Sequence, residues 1–157
     1  MRRKLRSGGK MPRRDLITLD GETKYGLNVF DTVGARGANR HGDVMTIQAM
    51  FRYLGELWTK DGTGTLPFMY DLLVEPNGMI GRKTIDAILA YQRTYGHKVL
   101  SIDGTIHPAK YENRKMSSRK PLMTITRMHD DLLNAHGAGD YTKEIARRFP
   151  NVAFWIR

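Results

Sequence analysis

Cysteine is absent from the 157-residue chain, which excludes disulfides, thiolate nucleophiles and Cys-ligated metal sites. Long apolar runs are absent too. None approaches the roughly 20 residues that a membrane helix needs, so no membrane span is expected. The basic start, "MRRKLRSGGKMPRRDLITL", has no apolar stretch behind it and does not read as a usual secretory signal. The expectation is cytoplasmic synthesis, with any delivery to the periplasm or cell wall by a non-Sec route. Acidic residues are missing from positions 1–14, which hold seven bases: Arg2, Arg3, Lys4, Arg6, Lys10, Arg13 and Arg14. The rest of the chain carries 19 bases against 16 acids, so most of the net charge of +10 belongs to this segment. It reads as a basic flexible tail, either simply solvated or able to touch nucleic acid, anionic lipid or wall polymer.

Recognisable catalytic patterns are missing as well. The serines, Ser7, Ser101, Ser117 and Ser118, occupy no Gly-x-Ser-x-Gly elbow. Glu56, Glu75, Glu112 and Glu144 offer no paired carboxylates for glycoside cleavage. "GARGAN" lacks the lysine and the strand–turn–helix setting of a phosphate loop. His129 and His136, seven apart in "HDDLLNAH", could share a helix face, but no third ligand stands at a metal-site spacing. They read as solvated histidines near a helix end. The chain is therefore expected to be no enzyme and to carry neither cofactor nor metal.

What is present suits a globular core: 40% hydrophobic and 27% charged residues, at a length suited to one domain. Strand-like pieces, Leu16–Leu19 and Leu27–Phe30, flank Gly-containing turns within an extended segment at 15–32. A Gly-rich loop then delivers Asp43, a cap or first-turn acid. Val44, Ile47, Phe51 and Leu54, widened by Met50, Leu57 and Trp58, predict a helix over 43–58. The stretch 59–71 reads as a Gly/Thr/Pro loop. A second helix, with Ile85, Ile88, Leu89 and Gln92 on one face, stops at Tyr95-Gly96. A third carries Ile125, Met128, Leu132 and Leu133, and a short fourth spans 141–148 between Asp140 and Pro150. "VAFWI" would pack as an apolar strap.

One local pattern occurs twice. "NGMI" at Asn77 and "DGTI" at Asp103 both follow a short apolar run and place an Ile two residues beyond the Gly. Asn-Gly and Asp-Gly reach positive φ at low cost. Each turn should therefore end an extended segment and pin one apolar side chain, with Gly78 and Gly104 in the left-handed region.

These blocks in order resemble a peptidoglycan-binding-like domain. Asp43, Val44, Ile47, Gln48 and Phe51 match its first block, and Gly78, Ile80, Gly81 and Thr84 its second, with Asn77 where Asp is usual. Tyr91-Gln92 and Asp103-Gly104-Thr105-Ile106 match the third and fourth. The "GxGANR" entry and "DGxIxP" exit resemble the variant linked to phage tails and type VI-like contractile injection systems. The loop 59–76 is longer than usual for the family, and His107-Pro108 stands where Gly is common.

The resemblance covers about 33–134 and implies a mainly all-α fold, a small three-helix bundle with extended N-terminal segments before it and a C-terminal helix and strap over 135–157. It also implies a non-catalytic cell-wall binding module, whose partner is a peptidoglycan fragment or a protein of a tail or secretion assembly. The motif glutamines, Gln48 and Gln92, are expected to serve turn backbone, with ligand contact the less favoured reading.

Wall stems bear carboxylates, and wall sugars bear amide and apolar faces. The ligand-binding candidates are accordingly Arg36, Asn39, Arg40, Tyr91, Arg93, Tyr95, His97 and Tyr111, although for any single one an ordinary solvated surface residue is the favoured reading. Two other functions stay open: an adaptor that reuses the wall-binding fold, and a binder of nucleic acid or anionic surfaces through the tail. Nucleic acid is the weaker partner, because the core has no aromatic-basic stripe.

Overall fold

The structure, a computed structural model, describes residues 11–60, 68–110, 116 and 122–156. It is helix-rich, with six helices and two small antiparallel sheets among those residues. The first sheet is a hairpin of β1 (Arg13–Leu19) and β2 (Glu22–Asn28) in a register that runs from Arg13↔Asn28 to Leu19↔Glu22. Asp20 and Gly21 close it with φ of 49° and 81°, the two-residue turn whose twist matches paired strands. Because β1 begins at Arg13, the last two bases assigned to the tail are strand residues. Arg14 donates to Thr142 Oγ1 at 2.8 Å, pairs with Asp140 and lies over the Tyr25 ring.

The core is organised around α1 (His41–Thr59), whose predicted face of Val44, Ile47, Phe51 and Leu54 is fully buried. Met45, Ala49, Met50 and Tyr53 are buried too, so neighbours cover more than one side of the helix. The helix starts two residues before the expected position. Asp43 in its first turn does not cap it, but accepts the Phe30 and Asp31 N–H groups at 2.8 and 3.0 Å. The remaining helices are α2 (Phe68–Asp71), α3 (Arg82–Tyr95), α4 (Thr124–His136), α5 (Tyr141–Arg148) and α6 (Pro150–Ala153). Gly96 ends α3 with φ +78° and returns its N–H to the Gln92 carbonyl. Asp140 caps α5 by accepting the Thr142 N–H at 3.0 Å, an interaction of about 1 kcal/mol. Helix α5 spans the expected 141–148 and closes before Pro150; Pro150 itself opens α6, where its missing N–H costs nothing.

The second sheet was not expected. Strands β3 (Val33–Gly34) and β4 (Thr105–Ile106) pair Val33 with Ile106 and Gly34 with Thr105, so the loop entering α1 is tied to the second Asx-Gly turn. Gly34, at φ +133°, permits this approach: a Cβ there would lie 2.0 Å from the Gly104 carbonyl oxygen. Asn28 extends the tie, accepting the Ala109 N–H at 2.9 Å and donating to its carbonyl at 3.1 Å.

Candidate functional site

The repeated turns are built by the same device. Gln48 on α1 accepts the Gly78 N–H through Oε1 at 2.8 Å. Its Nε2 donates to the Met79 carbonyl, Thr84 Oγ1 and Asn77 Oδ1 at 3.0, 3.0 and 3.2 Å. Gln92 on α3 accepts the Gly104 N–H at 2.9 Å and donates to the Thr105 carbonyl, Thr124 Oγ1 and Asp103 Oδ1 at 3.1, 3.0 and 3.2 Å. Asn77 and Asp103 each accept the N–H two residues on, and Gly78 and Gly104 have φ of +74° and +70°. Each glutamine thus joins its own helix to a turn and to a threonine in the first turn of a later helix, α3 or α4. Both amides are fully engaged, so Gln48 and Gln92 hold the scaffold rather than wait for a ligand.

Several candidate ligand residues prove to be structural. Asn39, at φ 52°, accepts the Gly34 N–H at 2.8 Å and donates to the Gly34 and Gly37 carbonyls, so its amide is spent on its own loop. Tyr91 is fully buried and donates to Asp131 Oδ2 at 2.5 Å. No surface ligand can reach it. Tyr95 is half-buried, donates to the same oxygen and carries the Arg127 guanidinium 4.3 Å over its ring. Burial, helped by its bond to Asp131, pushes the Tyr95 hydroxyl up to about 12. Burial also raises the Asp131 carboxyl, against the opposing pull of the two tyrosine bonds. Arg40 lies 3.6 Å from Asp31 and over the Phe30 ring. Arg36, Arg93 and His97 are exposed, while Tyr111 falls outside the described residues.

His129 requires a larger correction. It is fully buried, not solvated at a helix end, with Nδ1 2.7 Å from the Tyr141 hydroxyl and Nε2 without a hydrogen-bond partner among the described residues. Gly26 of β2 lies against it: a Cβ there would come within 2.5 Å of the imidazole. Burial holds the His129 pKa down to about 4, so the ring is neutral at pH 7. His136 meets the Tyr53 hydroxyl at 2.6 Å, so both histidines join helices within the fold.

The surface offers a groove that the sequence reading passed over. It has a volume of about 470 Å³ and is lined by Leu73, Val74, Asn77, Met79, Arg82 and Lys83, among others. The first Asx-Gly turn forms one wall and the first turn of α3 the other. Met79 is 66% exposed, and Arg82 and Lys83 are exposed, Arg82 lying 3.7 Å from the exposed Asp86 carboxylate one turn on. Glu75, also at the rim, is paired with Arg52 at 3.3 Å. Leu73, Val74 and Lys83 also line a second cleft with Tyr70, which is 54% exposed. Of the seven candidates among the described residues, none lines the groove. Arg93 is 11 residues beyond Arg82 on α3, roughly 16 Å along the helix. Comparisons of the chain with protein-family models, with curated proteins and with solved structures found no match. Among the described residues no helix is long and apolar enough to cross a membrane.

Proposed function

We propose that the chain is a non-catalytic peptidoglycan-binding module, whose α1, α3 and α4 make up a small bundle of the peptidoglycan-binding-like type. The observation that carries this reading is the groove at Asn77–Lys83. Its volume lies in the range of small-ligand sites, and its lining answers the chemistry of a wall fragment. Arg82 and Lys83 suit stem carboxylates, Met79 with Leu73 and Val74 suits an apolar sugar face, and the turn and helix entrance present polar backbone. The resemblance of the four motif blocks supports the same reading, and the resemblance of the entry and exit motifs favours a component or cargo of a phage tail or contractile injection system as its setting.

Co-sedimentation with insoluble purified peptidoglycan tests this, using the intact chain and a variant lacking residues 1–10, at low and high salt. Binding through the groove survives the deletion. Binding through the terminal bases is lost with it and falls steeply with salt, because exposed charges are screened within about 8 Å at physiological ionic strength. If the truncated chain sediments no better than an unrelated basic protein, the wall reading falls and the adaptor reading replaces it.

A further inference from the structure

A line of exposed and half-buried side chains runs from beside the groove onto the C-terminal segment. The His41 ring packs over Gly78, where a Cβ would come within 2.4 Å of the imidazole, and Met79 is the next residue along the groove wall. On its other side His41 meets Trp155 edge-on, with ring centroids 5.4 Å apart. Trp155 in turn meets Phe154 at 5.3 Å and 85°. Trp155 is half-buried against Gly42, whereas Phe154 is 72% exposed and Met79 66% exposed. Phe154 touches Trp155, Trp155 touches His41, and Met79 follows the glycine under the His41 ring; large apolar side chains left this open beside a groove mark an interaction site when they lie together rather than singly.

We infer that Met79, His41, Trp155 and Phe154 form a stacking platform for a sugar ring of the wall glycan, continuous with the groove that holds the carboxylate-bearing stem. This rests on the wall-binding reading and extends the sugar face begun at Met79 with an aromatic arm of His41, Trp155 and Phe154. Size and charge decide the occupant. A stable protein interface needs about 800 Å² per partner, whereas here four side chains form a narrow line leading into a groove of about 470 Å³. The cations at one end and aromatic edges and faces at the other match a ligand with a carboxylate on one arm and apolar C–H faces on its ring. The imidazole between them can donate to or accept from a ring hydroxyl or an acetamido group.

The chain has two tryptophans, Trp58 and Trp155, so Trp58→Phe leaves Trp155 as the only indole reporter. In that background, a soluble disaccharide–tetrapeptide should shift or quench the Trp155 emission, and the free tetrapeptide should leave it unchanged. Phe154→Ala and Met79→Ala, both at exposed positions that the fold tolerates, should each weaken disaccharide–peptide binding by up to about tenfold, the scale of one aromatic contact. Both should leave thermal melting unchanged. Silent Trp155 emission during saturable binding, or unaltered affinity in both variants, overturns the platform and leaves the wall reading standing. A protein contact at the same line of residues would give that result. If the parent chain binds neither the soluble fragment nor insoluble wall, the wall reading and the platform fall together.

Discussion

Replacing Gln92 with Leu keeps most of the side-chain volume while removing four hydrogen bonds at a fully buried position. The Gly104 N–H and Thr105 carbonyl then lose their side-chain partner inside the fold, at about 1–3 kcal/mol each. The Asp103 carboxylate is nearly half exposed and turns to water. Apolar burial of the leucine returns about 1 kcal/mol, which leaves a net loss of roughly 3 kcal/mol. Gln48→Leu removes the equivalent set, but Met79, whose carbonyl it serves, is exposed and can be hydrated, so the loss is smaller, about 2 kcal/mol. Gln92→Glu keeps the acceptor for Gly104 but faces the Thr105 carbonyl and Asp103 with a second acceptor, so at pH 7 it should be no better than Leu. Urea unfolding reads these as drops in midpoint at constant slope. Losses below about 1 kcal/mol for both leucine variants, or a larger loss at Gln48 than at Gln92, would refute the reasoning.

Gly34→Ala should be far worse than Gly104→Ala. The first drives a Cβ to 2.0 Å from backbone oxygen, the second meets only the flexible Leu89 tip at 3.3 Å and pays about 1–2 kcal/mol for its positive φ; melting temperatures compare them directly. His129 is neutral in the fold, with a pKa depressed to about 4 against 6.5 when unfolded. Its contribution is therefore complete above pH 6.5 and is lost as pH falls toward 4, a loss of about 3 kcal/mol. His129→Gln should flatten stability between pH 7 and 4.5, and an unchanged slope in urea titrations would contradict the burial argument. Purified wall incubated with the chain should release no soluble sugar and no new amino termini beyond a heat-treated control.

The parts of the fold written in local sequence were readable. The helical faces of α1 and α4, the Asp140 cap, the Gly96 stop and the positive φ at Gly78 and Gly104 each follow from a few neighbouring residues, whereas α3 buries Thr84, Ala87, Ile88, Tyr91 and Gln92 and leaves Ile85 and Leu89 of its expected face only partly covered. The roles of Gln48 and Gln92 were readable from the motif blocks, where an amide on each helix stands in reach of an Asx-Gly turn whose backbone needs partners. What was missed depends on pairing across the chain. Strands of two residues, as in β3 and β4, have no periodicity to detect, and only the Gly34–Gly104 contact explains them. Tyr91 reads as surface in isolation, yet it is buried because Asp131, 40 residues away, takes its hydroxyl. His129 is buried because β2 offers Gly26, a gap visible only once the hairpin is docked. The groove escaped notice for a related reason: Met79, Arg82 and Lys83 lie between motif positions, and what distinguishes them is exposure around a turn that the motif residues hold from behind.

Charge reversal in the groove tests the wall-binding claim most directly. Arg82→Glu/Lys83→Glu should be compared with Arg93→Glu/Lys98→Glu, which changes net charge equally at the far end of α3, by sedimentation with purified peptidoglycan. The predicted result is that the first pair loses wall binding by at least about tenfold while the second stays near the parent, as expected for charge-assisted contacts at one site and screened charge elsewhere. Equal losses in both, or none in the first, would show that the groove is not where the wall is held.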